Sequence, residues 1–360
     1  MKPKPILKPI SKPILTPLLW CLVFTLLSAC DKANKPASSP LQYLNRHSEQ
    51  YQQVSRQYKV QLPEDHWPHP LFQHEWWYLN ALLTTHQGQQ LSAQWTLFRT
   101  AHKKRHWYFA HAALADTQSH SSAFRQGRRE FENVAINHYP FSAVIDDWSW
   151  QSSSELLPAT VTFGEPGKAG WQAILTLTSA NPFFLQGEQG YNPRHHEEDI
   201  ASYYYSHPFI QVTGKIWWQG RWQQVSGDAW FDREWGSKML TTDQLGWDWF
   251  SLRLEHDTRL MVYRLRSNKE DFISGSLMSR NGEIKPLEAA DIRLSSEHNP
   301  GQRYPDAFTL TIPDQGIDVR IETLNRQQVL SFGIEYFEGM VSFHGSHRGK
   351  GFLEMTGYPK

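Results

Sequence analysis

The sequence predicts an all-β protein whose antiparallel strands close into barrels or pack as sandwiches. Apolar and polar residues alternate along many short segments, such as residues 91–97 and 171–177, and turn-forming Gly and Asn residues separate those segments. Aromatic residues make up 14% of the chain and include 16 Trp, so large rings supply much of the burial capacity. These observations argue against a helical bundle and against a disordered chain.

The predicted strands are too many for one small barrel, so we expect two domains in this chain of 360 residues. Periodicity is weakest over residues 236–246, which places the boundary near residue 240. We therefore predict one barrel over residues 61–240 and another over residues 241–360. A short amphipathic helix is predicted over residues 41–58, outside both barrels, because apolar residues recur there at helical spacing: Leu41, Leu44, Tyr51, Val54 and Tyr58.

Residues 1–29 are predicted to be a lipoprotein signal peptide. A lysine-rich start precedes an apolar run of about 14 residues, which has the length of a signal-peptide core and is too short to span a membrane as a helix. The run ends in Leu27-Ser28-Ala29-Cys30, which resembles the bacterial lipobox and makes Cys30 the lipidation site. A generic signal, or a short anchor followed by a chance cysteine, remains the alternative. Residues 30–60 would then contain a tether and the short helix.

The predicted location is the periplasm, with the chain held to a membrane by its N-terminal lipid. Asp31 directly follows Cys30, and in the Gram-negative sorting rule this residue favours the inner over the outer membrane. The chain has two cysteines, of which Cys21 would leave with the signal peptide and Cys30 would carry lipid. We therefore expect no disulfide in the mature protein.

Composition and motifs exclude several classes of function. The 36 basic residues balance the 36 acidic ones, so nucleic acid is not expected as a partner. No nucleotide, kinase, serine-hydrolase or zinc-protease motif is present, and we expect no cofactor. The 17 histidines include two groups, at residues 66–74 and 195–196, but neither has the spacing of a known metal site. We therefore predict no metal.

Four acidic residues lie among aromatic residues and are the candidate catalytic groups: Glu75, Asp232, Glu234 and Asp248. In a strand, residues two apart share a face, so Asp232 and Glu234 should point the same way. Burial among rings would raise the pKa of such an acid and allow it to donate a proton near neutral pH. Alternatively, the carboxylates accept hydrogen bonds in a structural network. The candidate ligand-binding rings are Trp76, Trp77, Tyr78, Tyr203, Tyr205, Trp230, Trp235, Trp247 and Trp249.

These aromatic and acidic blocks resemble the signature of a known family. Residues 75–78, 202–206, 232–237 and 246–250, with His66 and His69, are similar to blocks of the bacterial lipocalin-like "predicted secreted hydrolase" family, which is related to the carotenoid 1,2-hydratases, or hydroxyneurosporene synthases. The resemblance runs from about residue 61 to the C-terminus. It implies tandem lipocalin- or calycin-like β-barrels, the second smaller than the first. No Ser or Cys nucleophile paired with a base supports the word hydrolase.

The resemblance also implies a role for Asp232, which matches the acid in the Asp-His-Asn-Trp-Gly block of the hydratases. Here the block reads Asp-Arg-Glu-Trp-Gly, so Arg233 replaces the histidine and Glu234 is an added acid. An arginine facing Asp232 would keep it ionised and weaken a proton-donor role. A regular strand, however, points Arg233 to the opposite face.

Two function hypotheses follow. One is a lipid-anchored protein that binds a hydrophobic or amphiphilic small molecule in an acid-containing aromatic cleft, with an envelope transport or lipid-handling system as a further partner. The other is a hydratase- or hydrolase-type enzyme in which Asp232 acts as general acid on an apolar substrate. In both cases we expect Glu75, Asp232, Glu234 and Asp248 to converge at the first barrel and its border with the second, since unpaired buried carboxylates are costly to scatter.

Replacing Cys30 with Ser tests the lipid anchor. The variant should leave the membrane fraction or keep its signal peptide, because a hydroxyl group cannot replace the acylated thiol. Cell fractionation and the intact mass of the mature chain give the readout, and C21S is the control because Cys21 lies within the signal. Unchanged fractionation of C30S with no shift in mature mass would refute the anchor.

Overall fold

The computed structural model describes residues 40–45, 49–167, 170–255 and 257–359. These residues form two nearly closed antiparallel sheets, so the predicted all-β fold with tandem barrels is confirmed. The signal peptide, Cys30 and residues 31–39 of the tether lie outside the described residues. Within the described part of the chain, no helix combines the length and the apolar character that crossing a membrane requires.

The first sheet has 13 strands. In chain order they are β1 (His74–Thr85), β2 (Gln90–His102), β3 (Arg105–Ala115), β4 (His120–Gly127), β5 (Val134–Asn137), β6 (Ser142–Ile145), β7 (Trp148–Ser152), β8 (Ala159–Glu165), β9 (Trp171–Thr178), β10 (Phe184–Leu185), β11 (Tyr191–Pro193), β12 (Ala201–Trp218) and β13 (Arg221–Gly236). Their order in the sheet is β4-β3-β2-β1-β13-β12-β9-β8-β7-β6-β5, with β10 and β11 also paired to β12. The last strand, β13, therefore lies between β1 and β12.

The second sheet has 10 strands. They are β14 (Gln244–Arg253), β15 (Thr258–Ser267), β16 (Phe272–Ser279), β17 (Ile284–Leu287), β18 (Arg293–Glu297), β19 (Ala307–Ile312), β20 (Ile317–Thr323), β21 (Val329–Phe332), β22 (Ile334–Gly345) and β23 (Gly349–Thr356). The order is β17-β16-β15-β14-β23-β22-β20-β19-β18, and β21 pairs with β22. The first sheet ends at Gly236 and the second begins at Gln244.

The predicted helix over residues 41–58 is wrong. A short 3-10 helix covers Pro40–Asn45, and residues 49–58 are turns and irregular chain. Leu41, Leu44 and Tyr51 do become buried, but Val54 is half-buried and Tyr58 is exposed. Leu41 and Leu44 enter a core shared by the two sheets. The main chain is likewise bonded to distant residues, since Gln52 N donates to Leu71 O over 2.9 Å. Tertiary burial therefore replaces the hydrogen bonds that a helix would have made.

The described residues contain four more short 3-10 helices, of which the first precedes β1 and the other three connect strands. They are Glu64–His66, Arg129–Phe131, Ala289–Asp291 and Pro313–Gln315.

Side-chain alternation divides the buried residues into three main cores. Trp77 and Leu79 of β1 point into the first barrel, and Phe250 and Leu252 of β14 point into the second. The opposite faces of strands from both sheets contribute to the third core, where Tyr78 meets Trp249 with ring centroids 5.5 Å apart. Each of these strands thus serves two environments.

Gly227 of β13 lies directly against the main chain of β1. A Cβ atom there would overlap the carbonyl oxygen of Leu82 on the neighbouring strand. Gly227 therefore lets the two main chains approach in the register that pairs Tyr78 with Asp232 and Trp76 with Glu234.

We expect G227A to lower the free energy of unfolding by about 1–3 kcal/mol, because the added methyl group forces β1 away from β13. Chemical denaturation measures the change. S226A is the matched control, since Ser226 is the exposed neighbouring residue. Equal stability of G227A and S226A would show that the close approach does not constrain the strand pair.

Candidate functional site

A cavity of about 480 Å³ lies between the facing sides of the two sheets, outside the core of either barrel. The first sheet supplies residues of β1, β2, β3, β4, β12 and β13, and the second supplies alternate residues of β14, β22 and β23 together with residues of β15 and β21. Its rings include four of the predicted ones, Trp76, Tyr78, Trp247 and Trp249. The remaining walls are mostly apolar or aromatic, so the cavity suits a molecule with an apolar body.

Asp232 borders this cavity without a cationic partner among the described residues. Its Oδ1 accepts hydrogen bonds from Ser206 Oγ over 2.5 Å and from Trp230 Nε1 over 2.8 Å. The Tyr204 hydroxyl is a further neighbour of the carboxyl group. Burial raises the pKa of Asp232 to about 7, because these neutral donors only partly offset the loss of water around the charge. A neutral acid facing an apolar cavity can donate a proton.

Glu234 points to the same side but is held differently. Its Oε1 accepts a hydrogen bond from Arg194 Nη1 over 2.5 Å, and it also accepts one from Ser202 Oγ. Burial raises the pKa of Glu234, and the charge of Arg194 opposes that effect. Arg194 in turn donates to Met239 O over 2.7 Å, so the ion pair also fixes the chain that leaves β13.

Glu75 reaches one edge of the cavity, but its carboxyl group belongs to a buried ion cluster at the end of the first barrel. It is paired with both Arg99 and Arg233. Its Oε2 also accepts a hydrogen bond from His69 N over 2.9 Å. Burial alone would raise the pKa of Glu75, but the two guanidinium groups hold it well below the usual range. Arg233 points away from Asp232, as a regular strand requires.

The ion cluster fastens the segment that precedes β1. Arg233 Nη2 donates to Trp67 O over 2.8 Å, and Arg99 Nη2 donates to Phe72 O over 2.7 Å. The His69 ring stacks on Trp235 with centroids 4.0 Å apart, and its Nε2 lies 3.0 Å from Asp65. These contacts are those of the structural network that the sequence left open for the buried acids.

Asp248 lies on the second barrel's interior side, opposite Trp247 and Trp249. Its Oδ2 accepts hydrogen bonds from Arg264 Nε and Nη2 over 3.0 and 2.7 Å. Its Oδ1 accepts one from the Tyr358 hydroxyl over 2.9 Å. The predicted convergence of four acids is therefore wrong for Asp248, and Glu75 joins the cavity only at an edge. Alternation along the strands separates them.

The other predicted rings are distributed by the same alternation. Trp230 lies in the core shared by the two sheets and supports Asp232 through its indole N–H. The rest pack inside the first barrel and do not border the cavity: Trp77, Tyr203, Tyr205 and Trp235.

Two acids of the cavity were missed by the sequence analysis. Glu338 of β22 and Glu354 of β23 lie directly opposite each other in the second sheet and face the first. Burial raises the pKa of Glu354 to about 7 and that of Glu338 well above the usual range. The available signal was a glutamate next to large apolar residues, as in Phe337-Glu338 and Leu353-Glu354-Met355. Such a residue in a strand faces a second buried surface rather than water.

Comparison with known proteins gives a family and a fold. The AttH-like family model matches residues 53–358. A crystal structure of a candidate AttH protein from Nitrosomonas europaea is 28% identical, with a TM-score of 0.77, and covers 86% of this chain and 100% of its own. Kievitone hydratase from Nectria haematococca is 14% identical, with a TM-score of 0.64 and coverage of 88% and 98%. CghA, crystallised with Sch210972, is 12% identical, with a TM-score of 0.55 and coverage of 87% and 97%. No curated protein matches.

We expect E75Q to lower the free energy of unfolding at pH 7 by about 3–5 kcal/mol, because two buried guanidinium groups lose their shared anion. The folded-state pKa of Glu75 is lowered. Its stabilising effect is therefore present above the usual carboxyl pKa and is lost as pH falls toward the folded-state value. The deficit of E75Q should accordingly shrink in acid.

Denaturant titrations between pH 3 and pH 7 give both numbers. E64Q is the control, since Glu64 is an exposed acid on the same segment. A deficit of E75Q no larger than that of E64Q would mean that the cluster does not stabilise the barrel.

Proposed function

The chain belongs to the AttH-like family, and we propose that it binds an apolar or amphiphilic small molecule between its two sheets. Asp232 would then transfer a proton to this molecule. The observation that carries the proposal is the Asp232 carboxyl group. It is buried, borders the cavity, has no cationic partner among the described residues and has a pKa of about 7. An acid of this kind is half protonated at neutral pH, where proton transfer is most effective.

The surroundings of Asp232 suit an acid-initiated addition of water. Its proton would pass to one carbon of an alkene, and the second carbon would then carry the positive charge. The Tyr78 and Trp249 rings border the same space, and aromatic faces attract such a cation by about 0.5–2 kcal/mol each. Water would then form the new C–O bond and return a proton to the Asp232 carboxylate, which balances the reaction.

The comparisons support this chemistry as a precedent. A hydratase is among the proteins that share the fold, and another, CghA, was crystallised with Sch210972. Both are distant relatives, so the residues that perform the reaction here must be argued from this cavity.

A carrier without chemistry is the second candidate. The mostly apolar lining favours it, because such a surface binds an apolar molecule whether or not a reaction follows. The two candidates predict the same ligand class and differ in the role of the Asp232 proton.

We further propose that the protein works in the periplasm as a lipid-anchored protein. The sequence at residues 27–31 supports this location, and an apolar ligand would be available at the adjoining membrane. An envelope transport or lipid-handling system would then be a natural partner.

Replacing Asp232 with Asn separates the two candidates, because the shape is kept while the proton is removed. In difference infrared spectra, the wild type should show a carboxylic acid C=O band that D232N lacks and that titrates with a midpoint near pH 7. Since the folded-state pKa is raised from 3.8, the wild type should lose stability relative to D232N as pH rises from about 4 to 7.

Turnover can be followed without naming the substrate. Organic extracts of the cell envelope are incubated with the protein in D2O, and mass spectrometry detects deuterium in apolar molecules. The wild type should label at least one of them and D232N should not, while both bind the neutral dye N-phenyl-1-naphthylamine alike. D314N, at an exposed aspartate, should behave as wild type. Equal labelling by D232N, or dye binding without labelling by any variant, would contradict proton transfer from Asp232 and leave the carrier as the supported function.

A further inference from the structure

We propose that the cavity recognises an amphiphile bearing an ammonium group, and that the carboxyl groups of Glu338 and Glu354 bind this group. The inference rests on the proposed function, because it names the ligand class of the same cavity. It does not depend on whether Asp232 transfers a proton.

The two glutamates lie side by side in the wall of the cavity. They are direct cross-strand partners on β22 and β23, so their carboxyl groups extend side by side from one face of the second sheet. Glu338 Oε2 accepts a hydrogen bond from Gln94 Nε2 over 2.9 Å, and Glu354 Oε1 accepts one from Trp247 Nε1 over 2.8 Å. Glu338 Oε1 is buried and has no partner of good hydrogen-bond geometry among the described residues; the Tyr78 and Tyr336 hydroxyls beside the carboxyl group lower its pKa, but burial outweighs them.

The lining of the cavity contains more acidic side chains than basic ones. Its two arginines are already paired, Arg99 with Glu75 and Arg194 with Glu234. Burial lowers the pKa of both His74 and His111 to about 3, so these histidines carry no charge at neutral pH. Among the described residues, three acids of the lining are left without a cation: Asp232, Glu338 and Glu354.

Burial of these three acids lowers the stability of the folded protein. Three buried carboxyl groups without a cation are less stable than apolar residues of the same size would be. While the cavity is empty, the three carboxyl groups are tolerated because they hold protons, as their raised pKa values indicate. An incoming cation would let the glutamate pair ionise, and the protons would leave to solvent.

The rings select the type of cation. Trp247, Trp249 and Tyr263 border the cavity from the second sheet, and Tyr78 and Tyr204 border it from the first. Aromatic faces around carboxylates attract an alkylated ammonium group, which keeps little water of its own. No group of His, Cys, Asp or Glu in the described part of the chain is arranged to hold a metal ion, so a metal fits less well.

The expected pH dependence follows from the groups around the pair. Burial raises the pKa values of Tyr78, Tyr204 and Tyr263, so these hydroxyls are neutral in this range, and the two histidines are neutral above pH 5. Asp232 and Glu354, whose pKa values burial raises to about 7, are therefore the groups of the cavity that change charge between pH 6 and pH 8. Affinity for a cation should rise with pH over this range, whereas affinity for a neutral amphiphile should not.

Three amphiphiles with the same chain test the proposal by calorimetry below their micellar concentrations: decyltrimethylammonium, decyl maltoside and decyl sulfate. At pH 8 the cationic compound should bind at least about tenfold more tightly than the neutral one, and the anionic compound should bind most weakly. The double variant E338Q/E354Q keeps the shape of the pair and should reduce the preference to within about threefold. E270Q/E283Q removes two exposed acids and should keep it.

The outcomes distinguish failure of the proposed function from failure of the ammonium site alone. Failure of all three compounds and of the neutral dye to bind would overturn the proposed function itself. Equal or tighter binding of the neutral compound, or a cation preference that survives in folded E338Q/E354Q, would overturn the ammonium site alone. Circular dichroism of each variant establishes that it is folded.

Discussion

The alternation of side chains along β13 is the constraint on which the rest of the structure depends. Arg233 enters the first barrel and pairs with Glu75, whereas Asp232 and Glu234 leave the opposite face and border the cavity. Three consecutive charged residues are thereby divided between a structural cluster and a site. Because β13 lies between β1 and β12, both neighbours must keep this register, and Gly227 permits the close approach that it needs.

Much of the fold could be predicted from period-two patterns, and the signature blocks pointed to the tandem-barrel family. The helix over residues 41–58 could not be rejected from sequence, because burial of Leu41 and Leu44 between the sheets produces the same spacing as an amphipathic helix. For the site, two of the four acids predicted to lie among rings, Asp232 and Glu234, border the cavity. Sequence proximity to a Trp did not reveal that Asp248 faces its own barrel core, since this depends on which side of β14 meets the other sheet.

Glu338 and Glu354 were not predicted as site residues because their proximity depends on strand pairing. Glu338 and Glu354 are separated by 15 intervening positions in the chain, and only the antiparallel pairing of β22 with β23 makes them neighbours. The same holds for Ser206, which supports Asp232 from β12. Electrostatic character here belongs to cross-strand pairs rather than to linear motifs, and such pairs become visible once the register is known.

The separation of barrel cores from the cavity wall also bears on how such a protein can diverge. Residues such as Phe250 and Leu252 maintain the second barrel, while Trp247 and Trp249 on the same strand face the cavity. A substitution at a wall position can therefore change the shape and charge of the cavity without removing a residue from the core of either barrel. A scaffold in which barrel residues and cavity residues vary separately can persist at low identity, and the same fold is found here in solved structures that are 12–14% identical.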